Sequence, residues 1–187
     1  MQKQSKFSTR GVLCMLLLAG LLLAALCASW AYRQLRASLP TLDGVVALAE
    51  LDEEVSVTRD EVGMVTLSAN SRPAVARAMG FVHAQERFFQ MDLMRRQAAG
   101  ELSALFGGMA LAADKGVRIH QLRTRARAIV AGLASDESEI LLAYVAGVNE
   151  GLHRLASKPF EYWVLRAEPV DWTAEDTILT AYSMYLV

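Results

Sequence analysis

The segment from Gly11 to Tyr32 contains no charged side chain, and this feature constrains the chain more than any other. A helix needs about 20 apolar residues to cross the hydrocarbon core of a bilayer, so the segment is long enough to span one. Residues 1–10, just before it, carry Lys3, Lys6 and Arg10 and no acid. This arrangement predicts a transmembrane anchor or a secretory signal segment at residues 11–32.

The choice between anchor and signal depends on the end of this segment. Trp30 and Tyr32 lie where an interfacial aromatic belt is expected, which favours an uncleaved anchor. Small residues that a signal peptidase could use keep cleavage open; these are Ala25, Ala28 and Ala31. Basic residues flank both ends, so the positive-inside rule gives only a slight preference for a cytoplasmic N-terminus and a body on the outer side.

The distribution of cysteine, histidine and charge excludes several classes of site. Both cysteines, Cys14 and Cys27, lie in the apolar run, so the rest of the chain has no thiol for a disulfide, a catalytic thiolate or zinc. The three histidines lack the spacing of a metal cage. A net charge of −1 provides no basic stripe for phosphates. We expect no metal site and no nucleic-acid partner, while calcium held by scattered carboxylates stays open.

Residues 33–50, with Pro40 and Gly44, have no sustained period and are interpreted as a linker to a folded region at 51–187. Alternating residues from Val55 to Arg59 and a β-favouring run from Met64 to Ala69 flank the turn residues 60–63. This pattern predicts a β-hairpin at the start of the folded region.

The remainder predicts helices. Ser71 can cap a long helix that ends at Gly100, and its apolar stripe is expected to comprise Val75, Met79, Val82, Phe89 and Leu93. Further helices are predicted at about 101–106, at 112–133 and from Asp136 to Leu152, with a last one after the cap Thr173. The arginines of the 112–133 helix, namely Arg118, Arg123, Arg125 and Arg127, are expected to form a solvated face.

The last residues, Tyr182 to Val187, are almost all apolar and offer no glycine, asparagine or basic residue to satisfy the final carbonyl groups of a helix. We therefore expect that the chain is truncated at its C-terminus.

Several motifs occur in an order that resembles one known family. Gly80 to Asp92 reads GFVHAQERFFQMD and is similar to the G-Y-V-H-A-Q-D-R-L-F-Q-M-E signature of the penicillin acylase (penicillin amidase) family. Arg95-Arg96 and the Gly100 to Ser103 turn follow it, and weaker matches lie at 59–63, 144–149 and 168–176. The chain is identified as resembling the α-chain region of this family of N-terminal nucleophile hydrolases.

The resemblance implies an α+β fold, in which a mostly helical α chain forms part of a four-layered αββα sandwich behind the N-terminal transmembrane or signal helix. It implies a precursor that cuts itself, so that a serine begins a separate β chain and uses its own amine as general base. The reaction would hydrolyse the amide of an acylated small molecule of the β-lactam or acyl-homoserine lactone class. The protein would lie in the bacterial inner membrane with its body in the periplasm, or in the periplasm after signal cleavage.

No catalytic residue is assigned in this chain, because no glycine is followed by serine, threonine or cysteine, and Ser71 and Ser183 lie in or beside predicted helices. The chain alone is therefore expected to be inactive. By resemblance, the helix after Trp172 and Asp176 contributes to the acyl pocket, with Tyr182 and Tyr185 as substrate-binding candidates, although a plain core role for Tyr185 stays open. No cofactor is expected for catalysis, and structural calcium in the full-length protein stays open.

The remaining polar residues of the signature have structural interpretations. Glu86 and Arg87 are expected to form an ion pair within the apolar face of the long helix, and His83 to be a hydrogen-bonded core residue. One departure from the family pattern supports an alternative function. Val65 and Thr66 follow Met64 where the family usually has proline and histidine, which favours a non-catalytic, membrane-anchored binding or scaffold relative.

Overall fold

The structure is a computed structural model that describes residues 9–185, with side chains from Gly11 onward. Backbone contacts divide the chain after Ala37 into two compact units. The first is a single helix, α1 (Thr9–Ala37), and its part from Gly11 to Ala37 is long and apolar enough to cross a membrane. The helix continues past Tyr32, where the sequence-based boundary lay, because 33–37 contain no helix breaker. Most of the predicted basic flank at 1–10 lies outside the described residues.

Residues 38–50, predicted as the rest of a linker, are hydrogen-bonded to the folded region and belong to the second unit. Glu150 accepts a hydrogen bond from the backbone N–H of Ala49 at 3.2 Å, and Arg154 donates to the carbonyl of Ala47. Glu50 lies 3.7 Å from the guanidinium of Arg77. The sequence could not indicate this attachment, because the partners lie more than 100 positions away in the chain.

The predicted hairpin is present as antiparallel strands β1 (Ser56–Arg59) and β2 (Val65–Ser68), paired from Ser56 with Ser68 to Arg59 with Val65. Asp60 shapes the turn, since its Oδ1 accepts the N–H groups of Val62 at 3.0 Å and Met64 at 2.7 Å. Gly63 completes it with φ of 82°, a value that favours glycine.

The long helix α2 (Arg72–Ala99) begins and ends as predicted. Ser71 accepts the N–H of Ala74, and Gly100 ends the helix in the left-handed conformation. Of the five residues of the predicted apolar stripe, Val82 is buried and the other four are partly buried, with Phe89 packed against buried hydrophobic residues. Packing of other elements on several sides of α2 also buries residues outside this stripe, which include Ala74, Ala78, Phe81, Ala84, Phe88 and Met91. The sequence also did not indicate the kink at Arg87, which has φ of −149° and ψ of 27°.

The predicted helix at 112–133 is two helices, α4 (Leu111–Arg118) and α5 (Leu122–Ala131), separated at Gln121 with φ of 51°. They follow α3 (Ser103–Phe106) and a 3₁₀ turn, Gly107–Ala110. Buried Asp114 accepts the N–H groups of Leu102 and Ser103, which fixes α4 to the start of α3. A polar contact of this kind leaves no periodic signal, so the break was not predicted.

The other main helix, α6 (Ser135–His153), packs closely along α2. Glycines make this approach possible, because a Cβ at Gly147 would lie 1.9 Å from the carbonyl oxygen of Arg77, and one at Gly80 would lie 2.2 Å from that of Tyr144. The N-cap of α6 is Ala134, and Glu137 accepts its N–H at 3.2 Å.

A short helix that the sequence did not predict, α7 (Phe160–Leu165), precedes the last helix, α8 (Ala174–Ser183). Buried side chains of α2, α6, α7 and the segment before α8 form the main core, composed of Ala84, Phe88, Met91, Val148, Leu152, Tyr162 and Trp172. The described chain is thus mostly helical with one small sheet. The predicted αββα sandwich needs strands beyond this hairpin and remains an expectation.

Candidate functional site

The candidate site is the helix α8 together with the buried charges that hold it. Its starting point is one turn of α2, where Asp92, Arg95 and Arg96 are spaced three and four positions apart and therefore lie side by side. Oδ1 of Asp92 accepts from Nε of Arg95 at 2.7 Å and from Nε of Arg96 at 2.9 Å. The hydroxyl of Tyr162 donates to the other oxygen at 2.7 Å. The buried carboxylate thus has several donors, which is the condition for keeping a charge inside a core.

The Tyr162 hydroxyl remains protonated in this arrangement. Its burial, and then the negative charge of Asp92, raise the pKa of Tyr162 well above its usual value. The phenol therefore acts as a hydrogen-bond donor and joins α7 to α2.

Arg95 fixes the segment that precedes α8. Its Nη2 donates to the carbonyl of Val170 at 2.7 Å and its Nη1 to that of Asp171 at 2.9 Å, and the guanidinium lies 4.9 Å from the centre of the Trp172 ring. Asn149 of α6 makes two further hydrogen bonds to this segment. Its side chain donates to the carbonyl of Trp172 and accepts a hydrogen bond from the N–H of the same residue. The entry to α8 is thereby held by both long helices.

Asp176 joins these contacts to the start of α8. Oδ2 accepts from Nη1 of Arg95 at 2.7 Å and from the backbone N–H and hydroxyl of Thr173, and Oδ1 accepts from Nη1 of Arg123 at 3.1 Å. Burial alone would raise the pKa of Asp176, but the charge of Arg95 and the hydrogen bonds from Thr173 outweigh it and lower the pKa. Asp176 is therefore ionised at neutral pH.

Three of the four arginines expected to be solvated are exposed, and Arg123 is partly buried. Arg125 and Arg127 are exposed, as expected. Arg123 instead binds Glu101 at 2.7 Å as well as Asp176, and Nε of Arg118 donates to the carbonyl of Gly100 at 2.7 Å. Arg118 is nevertheless exposed, so the expectation was wrong only for Arg123, whose partners lie in segments that fold against α5 from elsewhere in the chain.

The two predicted substrate-binding residues come together at the far end of α8. Tyr182 and Tyr185 line a shallow cavity of about 250 Å³ together with His120, Leu122 and Arg125. Tyr185 is 85% exposed, whereas buried Leu179, six residues earlier, attaches the helix to the core. The concavity offers two phenol rings to an apolar group. Leu186 and Val187, the end of the predicted pocket stretch, lie outside the described residues.

The polar residues of the signature have structural partners. Nδ1 of His83 lies 3.1 Å from the hydroxyl of Tyr144. Burial, aided by Arg87, lowers the pKa of His83, and burial raises that of Tyr144 to about 12, so neither carries a charge at neutral pH. The expected Glu86–Arg87 ion pair is present at 3.7 Å, but it does not lie inside the core, because Arg87 is at the kink with 58% of its side chain exposed. Glu86 also binds Arg59 of β1 at 2.6 Å.

The two candidate serines make local hydrogen bonds. Oγ of Ser71 caps α2, and the Ser183 hydroxyl donates to the carbonyl of Thr180 at 2.7 Å. Across residues 9–185, the histidines and acids form no group of three that could hold a metal ion.

Sequence reasoning included Asp92, Arg95 and Asp176 within motifs but assigned them no role. A signal was available, since an acid and a base three apart on a helix with apolar neighbours indicate a buried pair. Tyr162, which donates to Asp92, had no such signal.

Comparisons with known proteins agree with this arrangement of motifs. A family model described as penicillin amidase matches residues 54–187. The penicillin acylase 2 proenzyme of Pseudomonas sp. (strain SE83) is 41% identical over 138 residues, which are 74% of this chain and 18% of that protein. The acyl-homoserine lactone acylase QuiP of Pseudomonas fluorescens (strain Pf0-1) is 32% identical over 162 residues, 86% of this chain and 20% of that protein.

This chain therefore spans about a fifth of the length of these curated relatives. Among solved structures, the thermostable penicillin G acylase from Alcaligenes faecalis superposes with a TM-score of 0.64 and 28% identity. The superposition covers 71% of this chain and 72% of that one.

Proposed function

This chain belongs to the penicillin amidase family of N-terminal nucleophile hydrolases and corresponds to its α-chain region, and from that premise we propose that it is part of an amide-hydrolysing acylase. The proposed substrate is an acylated small molecule of the β-lactam or acyl-homoserine lactone class. The observation that carries the proposal is the match over residues 54–187, supported by relatives named for each of these activities.

The chemistry divides between two chains. The proposed nucleophile is the N-terminal serine of a β chain released by autoprocessing. Its hydroxyl oxygen attacks the amide carbon, and its own amine accepts the proton and passes it to the leaving nitrogen. Water then hydrolyses the acyl ester. The donors that stabilise the oxyanion also belong to the β chain, so residues 1–187 alone are proposed to be inactive.

The role proposed for this chain is to bind the acyl group. Tyr182 and Tyr185 line an open concavity at the end of α8, and a β chain would complete it. The buried contacts of Arg95 and Asp176 support this role, because they fix the first turn of the helix that carries both tyrosines. No cofactor is needed for this chemistry. Structural calcium in the complete protein is proposed from the family resemblance alone.

Residues 11–32 are proposed to anchor the protein in the bacterial inner membrane with the body in the periplasm. A cleaved signal would instead leave the body free in the periplasm. The length and apolar surface of α1 support either fate.

A second candidate function is a membrane-anchored binding or scaffold relative without catalysis. Its support is local to the hairpin, where Val65 and Thr66 stand in place of the usual proline and histidine and form regular pairs with Arg59 and Thr58.

The deciding experiment expresses the complete reading frame, determines the N-terminus of any second chain, and assays acyl release from a chromogenic phenylacetyl amide and an acyl-homoserine lactone. A new N-terminal serine with acyl release supports the acylase. An uncleaved product that binds but does not turn over these substrates would support the scaffold relative.

A further inference from the structure

The concavity that Tyr182 and Tyr185 line also contains a cation. Its other lining residues are His120, Leu122 and Arg125, so it includes an arginine and no acidic residue. The guanidinium of an arginine is charged at every physiological pH. The concavity therefore offers two phenol rings beside a positive charge that no lining residue neutralises.

The guanidinium of Arg125 is held by one hydrogen bond and is otherwise open. Its Nε donates to the carbonyl of His120 at 3.0 Å. A guanidinium has five N–H donors, so this bond leaves the four on Nη1 and Nη2. These two nitrogens have no hydrogen-bond acceptor among residues 11–185. They form a planar fork, which matches the two oxygens of a carboxylate.

The arginines on either side of Arg125 in α5 already have acidic partners. Arg123 binds Asp176 at 3.1 Å, and Arg127 lies 3.9 Å from Glu175. Within the part of the chain that the structure describes from Gly11 onward, no acid forms an ion pair with Arg125. The charge that faces the concavity thus has no countercharge of its own.

We propose that Arg125 binds a carboxylate of the substrate, so that the site prefers a carboxylate-bearing amide to a neutral one. This inference rests on the proposed acylase function and on the place of Tyr182 and Tyr185 in the acyl pocket. A β chain that completes the concavity would remove the guanidinium from water, and a charge buried without a partner is costly. The substrate carboxylate supplies that partner through two parallel hydrogen bonds.

The carboxylate can stand at the far end of the acyl group or on the amine that is released. Two pairs of substrates separate these positions. The first pair is glutaryl para-nitroanilide and its ω-amide, which differ only at the end of the acyl group. The second pair is benzylpenicillin and its methyl ester, which differ only on the released amine.

The test compares kcat/KM for both pairs in the complete acylase and in its variants. In the parent protein we expect the carboxylate member of one pair to be favoured about tenfold, the equivalent of one charge-assisted hydrogen bond. Arg125→Gln should abolish this preference, and Arg125→Lys should keep part of it. Arg127→Gln is the matched control and should keep all of it, because two positions along α5 turn the side chain by about 200° around the helix. Circular dichroism establishes that each variant is folded.

Each outcome decides the proposal. Loss of the preference in Arg125→Gln supports it, and the pair affected shows whether the acyl group or the released amine carries the carboxylate. A parent protein without a preference, or a preference that Arg125→Gln retains, overturns it, while turnover of any substrate leaves the acylase function standing. If no substrate is turned over, the proposed function fails, and calorimetric Kd values of the same pairs for the parent and Arg125→Gln decide the role of Arg125 by the same comparison.

Discussion

Nη1 of Arg95 in α2 donates to Oδ2 of Asp176 in α8 over 2.7 Å, and the two side chains are only 5% and 2% exposed. This contact joins residues 81 positions apart in the sequence. It also connects Asp92, Tyr162 and Arg123 into one buried set of charges and hydrogen bonds. The position of α8, and with it of Tyr182 and Tyr185, depends on these contacts.

Replacing Asp176 with asparagine should strongly destabilise the fold. The variant leaves Arg95 buried without its full countercharge, and loss of one partner of a buried pair costs about 3 kcal/mol. Urea denaturation in detergent, followed by circular dichroism, measures the change. The control is Glu175→Gln on the same helical turn, whose contact with Arg127 is 3.9 Å long and partly exposed. Equal stability of the two variants would contradict a central role for the Arg95–Asp176 pair.

The same carboxylate should make the fold sensitive to acid. Because the folded state lowers the pKa of Asp176, its contribution to stability is present above the pKa of an unfolded aspartate, about 4. The contribution falls as the pH drops from there through the lowered pKa of the folded state. Unfolding free energies measured between pH 7 and pH 3 should therefore decline less steeply in Asp176→Asn than in the parent protein.

The closeness of α2 and α6 should make Gly147 intolerant of any side chain. The added Cβ of Gly147→Ala would lie 1.9 Å from the carbonyl oxygen of Arg77, so the helices must separate, at a cost of about 3 kcal/mol. Gly116→Ala in α4 is the matched control, because nothing lies within 4 Å of its added Cβ. It should stabilise the fold by about 0.5 kcal/mol through helix propensity. Thermal or urea unfolding of both variants tests the contrast.

Removing the ring of Tyr185 should weaken binding of an apolar acyl group without loss of stability. The side chain is 85% exposed, so Tyr185→Ala should leave the unfolding midpoint unchanged. In the complete acylase its KM for an aromatic acyl substrate should rise about tenfold, the equivalent of one aromatic contact. Met184→Ala, at an adjacent residue that is 67% exposed, is the control. An unchanged KM in Tyr185→Ala would remove this residue from the proposed pocket.

Elements with local signals were predicted well from the sequence. The hairpin around Asp60–Gly63, the start of α2 at Ser71 and the capped start of α8 at Thr173 are all confirmed. Each depends on residues within a few positions of one another, such as a capping side chain or a turn glycine, and the backbone there has few alternatives. The family resemblance is also confirmed, since its motifs are continuous stretches of sequence.

Features that depend on distant partners were not predicted. Residues 38–50 attach to Glu150 and Arg154 through their own backbone groups. Contacts of this kind leave no pattern of side chains in the sequence, so the segment was interpreted as a linker. The predicted stripe of α2 omitted most of its buried residues, because several elements surround that helix and a single amphipathic stripe does not describe it. Arg123 was assigned to solvent for the same reason, since nothing near it in sequence indicates Asp176.

The sequence by itself determined the apolar helix at the N-terminus, the order of the main helices, the hairpin and the family. These follow from periodicity, capping and continuous motifs, which act over one or two helical turns. Only the tertiary structure decided that Asp92, Arg95, Tyr162 and Asp176 meet in one buried cluster and that Tyr182 and Tyr185 share a concavity. Burial of a charge becomes favourable only when its partners arrive from other elements, and that requirement is met in space rather than along the chain.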